Sequence, residues 1–186
     1  MNISFMRNRF IQMVAAAAAI IAICPPAAVA GDASTFDVAG IKLGMTPAEV
    51  QAKIAQHFGI ATNKVHTYSQ QQFVLGGKSG VIAVSYEANG ETLQVTFSTV
   101  SPNPADAPLA SSIQYKLPFS KENSDRLKAA AIQKYGTPSI NSFPLQWCVV
   151  TTNPGVCDTS RATLSVGNTD LSLSDQQYVL KYMQLS

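Results

Sequence analysis

The side chains able to do chemistry in this sequence are few and dispersed. There are two histidines, His57 and His66, and three cysteines, Cys24, Cys148 and Cys157. A transition-metal site needs His, Cys or carboxylate ligands at defined spacing, and no H-x-x-x-H, H-E-x-x-H or C-x-x-C occurs. His57 falls near the end of a helical pattern, where an imidazolium interacts favourably with the last carbonyls and the helix dipole. His66 falls on a strand pattern. No G-x-S-x-G marks a nucleophilic serine. Gly76-Gly77-Lys78 lacks the rest of a phosphate-binding loop and reads as a turn. Glu122 and Asp125, at helical spacing, read as a solvated helix start. Trp147, Tyr115 and Tyr86 sit on alternating strand patterns, which favours the core over a ligand wall. These residues predict no catalytic, metal or cofactor-binding site, and no cofactor.

Cysteine chemistry depends on the compartment, and the first thirty residues specify one. Arg7 and Arg9 precede an uncharged run from Ile11 to Cys24, then Pro25-Pro26 and the small-residue site Ala28-Val29-Ala30. This is the pattern of a secretory signal peptide over residues 1–30, cut between Ala30 and Gly31. The apolar run is short for a bilayer span. Ile23 precedes Cys24, so the small residue of a lipobox is missing. A periplasmic or secreted location favours disulfides. Cys148 and Cys157 enclose eight residues, a spacing suited to a staple across the loop Thr151-Thr152-Asn153-Pro154-Gly155. Such a closure contributes roughly 2–4 kcal/mol.

Removing the leader takes two of thirteen basic residues and none of eleven acidic ones. The remaining chain, 31–186, is balanced in charge and sized for one exported domain. Without a basic stripe it is not predicted to bind nucleic acid, and it keeps no stable membrane anchor.

The elements that must position these residues begin at Gly44-Met45-Thr46-Pro47-Ala48-Glu49-Val50. Thr46 reads as an N-cap and Glu49 as its N3 partner in a capping box, with Pro47 at N1. Met45 and Val50 form a hydrophobic staple. Val50, Ile54 and Phe58 then give one apolar stripe, ended by Gly59. Downstream, Ile82, Val84 and Tyr86 alternate, Asn89-Gly90 supplies a type I′ turn, and Leu93, Val95 and Phe97 alternate back. Closing that turn pairs Tyr86 with Leu93, Val84 with Val95 and Ile82 with Phe97. Lys64–Ser69 and Gln72–Leu75 suggest one or two further strands. The three prolines of 101–108 read as a surface connection.

Ile113, Tyr115 and Leu117 alternate as a strand, and a helix follows from Lys121 to Tyr135, closed by Gly136. Leu145, Trp147 and Val149 form the next strand. Leu164 and Val166 match Leu173 and Leu171 across a turn at Asn168. The segment 176–183 fits a helix or a strand equally by periodicity. The predicted fold is α+β. It comprises two helix-plus-antiparallel-sheet units, about 36–100 and 110–186, joined by the loop 101–108, with the helices on one face; the units form either separate sheets or a single continuous one.

Ile41-Lys42-Leu43-Gly44-Met45-Thr46-Pro47-Ala48-Glu49-Val50 resembles the opening motif of the SmpA/OmlA (BamE) lipoproteins and the secreted β-lactamase inhibitor proteins. Gly136-Thr137-Pro138 followed by Trp147 is similar to a later part of those domains. The early G-M-T-P-A-E-V and the later Lys134-Tyr135-Gly136-Thr137-Pro138-Ser139 also resemble a group of uncharacterised exported bacterial proteins. The resemblance implies a small extracytoplasmic module, built like a β-lactamase inhibitor or SmpA domain, that works by protein contact. The expected function is a non-catalytic exported interaction module whose partner is an envelope or secreted protein. The alternative is an exported small-ligand carrier or enzyme with a cleft between helices and sheet.

Overall fold

The computed structural model describes residues 32–153 and 155–185. The expected signal peptide over 1–30 and its expected cleavage point between Ala30 and Gly31 lie outside the described residues. The first described residues are tied down: Ala33–Thr35 form a 3-10 turn capped by Asp32, and Ala33 is fully buried. Strands β1 (Asp37–Val38) and β2 (Ile41–Lys42) pair across Ala39-Gly40, both with positive φ. Helix α1 (Pro47–Phe58) follows, with its capping box formed. The Glu49 carboxylate accepts from both the N–H and the hydroxyl of Thr46, each at 2.8 Å. Gly59, in the left-handed conformation, ends the helix.

Next come β3 (His66–Gln71), β4 (Ser79–Ala88), β5 (Glu91–Ser98) and β6 (Leu109–Lys116). Gln72–Leu75 does not extend the sheet. Phe73–Leu75 is a 3-10 turn ended by Gly76 at positive φ, which returns the chain to start β4. The Asn89-Gly90 hairpin has the expected register, with Tyr86 opposite Leu93 and Val84 opposite Val95. Helix α2 (Lys121–Tyr135) is capped by the Ser120 hydroxyl, which accepts the Asn123 N–H at 3.0 Å. It is followed by β7 (Leu145–Cys148), β8 (Thr151–Asn153), β9 (Val156–Cys157), β10 (Thr163–Val166) and β11 (Asp170–Ser174). Val149, expected in a strand, lies beyond β7 and is exposed. The Cys148–Cys157 disulfide closes the β8–β9 hairpin with a Cα–Cα distance of 5.7 Å. Leu164 and Val166 face Leu173 and Leu171 as the alternation required. The ambiguous C-terminal segment is helix α3 (Gln176–Leu185), started by the Asp175 carboxylate accepting the Gln177 N–H at 2.9 Å. It packs against β5 and β6 and buries no residue fully.

Seven of the strands form one antiparallel sheet in the order β3-β4-β5-β6-β11-β10-β7. The fold is therefore mixed α+β with a continuous sheet, because β5 and β6 pair directly on either side of the loop 101–108. Val50 and Ile54 of α1 and Leu127, Ala131 and Tyr135 of α2 join one core with Val84, Leu93, Val95, Ile113, Leu164 and Leu173. Each buried aliphatic side chain stabilises the fold by about 1.5–3 kcal/mol, so this shared core outweighs any single hydrogen bond, worth about 1 kcal/mol net. Trp147 is fully buried, and its Nε1 donates to the Gly136 carbonyl at 3.0 Å, holding the end of α2 to the sheet.

The helix-start motif does more than nucleate a helix. The Gly44 N–H donates to the Ala110 carbonyl and the Ala110 N–H to the Met45 carbonyl, both at 2.8 Å, docking the entry to α1 on β6. Gly44 has φ +83°, and a Cβ there would stand 2.7 Å from Tyr178 Oη. Gly44→Ala should therefore destabilise the protein by at least roughly 1–2 kcal/mol from the backbone alone, measured by denaturant unfolding. Adding Tyr178→Phe to that variant should restore part of the loss, since the hydroxyl makes the close contact; no recovery would place the whole cost in the backbone.

Candidate functional site

Two surfaces on opposite sides of the sheet merit attention. The first is a cleft where the end of α1 approaches α2 above β6 and β11. It holds about 160 Å³, with Val38, Leu127, Ala131 and Leu171 among its walls and His57, Tyr115 and Lys134 at its polar positions. His57 does not end its helix by meeting the last carbonyls, as its position suggested. Its Nε2 lies 3.0 Å from Glu91 Oε1 at the start of β5. Tyr115 donates its hydroxyl to the same oxygen at 2.7 Å. The three groups come from α1, β5 and β6, and the cross-strand register places Leu93 opposite Tyr115, which brings Glu91 within reach. Burial pushes the Tyr115 hydroxyl well above its ordinary value, and its hydrogen bond to Glu91 and the charge of that carboxylate push it further. The hydroxyl stays protonated and donates. His57 also meets Phe58 and Tyr115 edge-on at ring distances of 4.8 and 6.0 Å.

At the other end of the cleft Lys134 donates to Asp37 Oδ2 at 2.7 Å and to the Asp37 carbonyl at 2.9 Å, so its charge is engaged. Tyr135 donates to that same carbonyl at 2.7 Å. Partial burial raises the Asp37 carboxyl, but the hydrogen bonds from Lys134 and the Gly40 N–H, with the charges of Lys134 and Lys42, outweigh it and hold the group below its ordinary value.

The second surface is the sheet's other face. His66, Ser85, Gln94, Gln114, Ser172, Ser165 and Gln146 lie side by side in one row across all seven strands. Gln94, Thr96, Gln114 and Lys116 are exposed at its centre. His66 is thus separated from His57 by the sheet. Strand β3 is the sheet's edge and every one of its residues is exposed. Phe73 and Phe119 project into solvent, 84% and 85% exposed.

The remaining candidates fall where local structure explains them. Asp125 pairs with Lys121 on the exposed first turns of α2. Gly76-Gly77 makes the turn before β4, and Tyr86 packs on Phe58 at 4.8 Å. Among the described residues no three His, Cys, Asp or Glu side chains gather as a metal site, and no helix is long and apolar enough to cross a membrane. Glu91, the residue that organises the cleft, carried no sequence signal beyond its place after Asn89-Gly90, where strand alternation with Leu93 points it to the helix side.

The lowered Asp37 carboxyl has a consequence for stability. Its contribution is fully present above the ordinary value of 3.8 and is lost as pH falls through the lower folded value. The stability difference between wild type and Asp37→Asn should be constant at neutral pH and shrink below about pH 4, read from unfolding midpoints across pH; a difference that grew on acidification would refute this. Comparisons with protein families, with curated proteins and with solved structures return no match for this chain.

Proposed function

We propose that this chain is a non-catalytic module, exported to the periplasm or secreted, that binds another envelope or secreted protein through the polar face of its sheet. The polar row from His66 to Gln146 carries the reading: it crosses every strand of the sheet, while α1 and α2 bury their residues on the other side. Six strand spacings make the face roughly 30 Å wide, and five residues along each strand make it roughly 15 Å long. That area, on the order of 450 Å², is more than half of one partner's share in a standard interface, about 800 Å². The rim must supply the rest, and the exposed β3 edge offers main-chain donors and acceptors to an added strand.

The leader-like residues 1–30 and the Cys148–Cys157 disulfide support an oxidising, exported setting. The likeness of Ile41–Val50 to the opening of SmpA/OmlA and β-lactamase inhibitor domains supports protein contact as the mode of action. A two-unit architecture fits as well, with α1 packed on β4 and β5 and α2 packed on β10.

The test uses the chain exported with its own leader and tagged at its C-terminus. Affinity capture from envelope extract should enrich a protein partner. The double variant Gln94→Arg/Gln114→Arg, altered only at exposed positions, should lose at least about tenfold of that partner, as expected for two cations pressed into an interface core. Equal recovery by both baits, or no partner with either, would overturn the proposal.

A further inference from the structure

We propose that the cleft between α1, α2 and the sheet is a binding site for a small uncharged molecule of one or two fused rings bearing a single N–H or O–H donor. Size is the first argument. An apolar cavity of about 150 Å³ holds a benzene-sized guest, and this cleft, at about 160 Å³ and open to solvent on one side, admits a ring or two. Its walls are the aliphatic side chains of Val38, Leu127, Ala131 and Leu171.

Glu91 then decides the polarity of the guest. A carboxylate only accepts hydrogen bonds, so the contact of its Oε1 with His57 places a proton on Nε2 and commits that donor to Glu91. Tyr115 gives its one hydroxyl proton to the same oxygen and keeps only lone pairs. Tyr115 therefore offers an acceptor and has no proton left to donate, and the Nε2 proton of His57 is spent on Glu91. Lys134, the one lysine or arginine on the cleft wall, is engaged by Asp37, so no free cation calls for an anionic guest. At this end of the cleft a guest with a donor finds an acceptor, whereas an acceptor-only guest of the same shape meets a donor only at the far end, where the Lys134 ammonium already gives two of its three N–H groups to Asp37. The site lies on the helix side of the sheet and does not depend on the face assigned to a protein partner.

Indole and benzofuran test this as probes, since benzofuran replaces the N–H with an oxygen in nearly the same shape. In methyl-detected NMR titrations of the full chain, indole should shift Leu127, Ala131 and Leu171. Benzofuran should bind roughly 3- to 10-fold more weakly, the cost of one missing hydrogen bond. Ala130→Phe, at an exposed position on the cleft mouth, should abolish the shifts with the fold intact. Glu91→Gln, whose amide can donate to His57 or Tyr115 and free their protons, should narrow the preference for indole. Several results would overturn the assignment: equal binding of the two probes, shifts that survive Ala130→Phe, or no shift at millimolar indole. Tighter binding of N-acetyltryptophanamide than of indole would give the cleft to a protein side chain instead. Shifts of the same methyls on raising protein concentration alone would give it to a second copy.

Discussion

The antiparallel pairing of β5 with β6 is the contact on which the rest of this molecule depends. Leu93 and Val95 stand opposite Tyr115 and Ile113, which joins the strands before residue 100 to those after it in one sheet. The same register brings Glu91 beside Tyr115 at one end of the pair. At the other end it leaves Ala110 beyond the reach of β11, where the backbone of Gly44 and Met45 takes its hydrogen bonds. Without that pairing α1 and α2 would lie on separate sheets, each with a small core of its own. With it, their buried stripes meet over a common set of aliphatic residues, and the cleft forms in the angle between them.

The polar face follows from α1 and α2 burying their stripes on the same side of the sheet. Alternation along β5 sends Leu93, Val95 and Phe97 inward and Thr92, Gln94 and Thr96 outward. The outward residues of neighbouring strands then line up because the register is fixed by the inward ones. The open row is uncharged from Ser85 to Gln146, in keeping with a chain that carries 13% charged residues. Neutral hydrogen-bonding groups cost less to desolvate than charges, so such a face suits contact with a macromolecule better than long-range steering of an ion.

Much of the fold was legible because local and long-range preferences agree. The capping residues of α1 and α2, the Asn89-Gly90 turn and the match of Leu164 and Val166 with Leu173 and Leu171 all satisfy backbone groups and apolar pattern together. Where they diverge, pattern alone misleads. Gln72–Leu75 looks like strand, but Gly76 and Gly77 at positive φ turn it into a short 3-10 segment. Tyr178, Leu180 and Tyr182 alternate as a strand would, yet the segment follows a cap at Asp175 and forms a helix packed against β5 and β6. The cleft was the least legible part. His57 had an adequate local explanation at its helix end, and nothing in its neighbourhood in sequence signalled Glu91 and Tyr115, 34 and 58 residues away.

The sequence by itself determined α1 and α2, the Asn89-Gly90 hairpin and the inward and outward faces of the central strands, because these rest on hydrogen bonds and side-chain alternation within a few residues. It also paired Cys148 with Cys157, the two cysteines left once the leader is set aside. Only the tertiary structure decided that the strands make one continuous sheet, that His57 and His66 lie on opposite sides of it, and that one Glu91 oxygen meets both His57 and Tyr115. Those outcomes depend on register between distant strands and on where helices cross them, which no local pattern encodes.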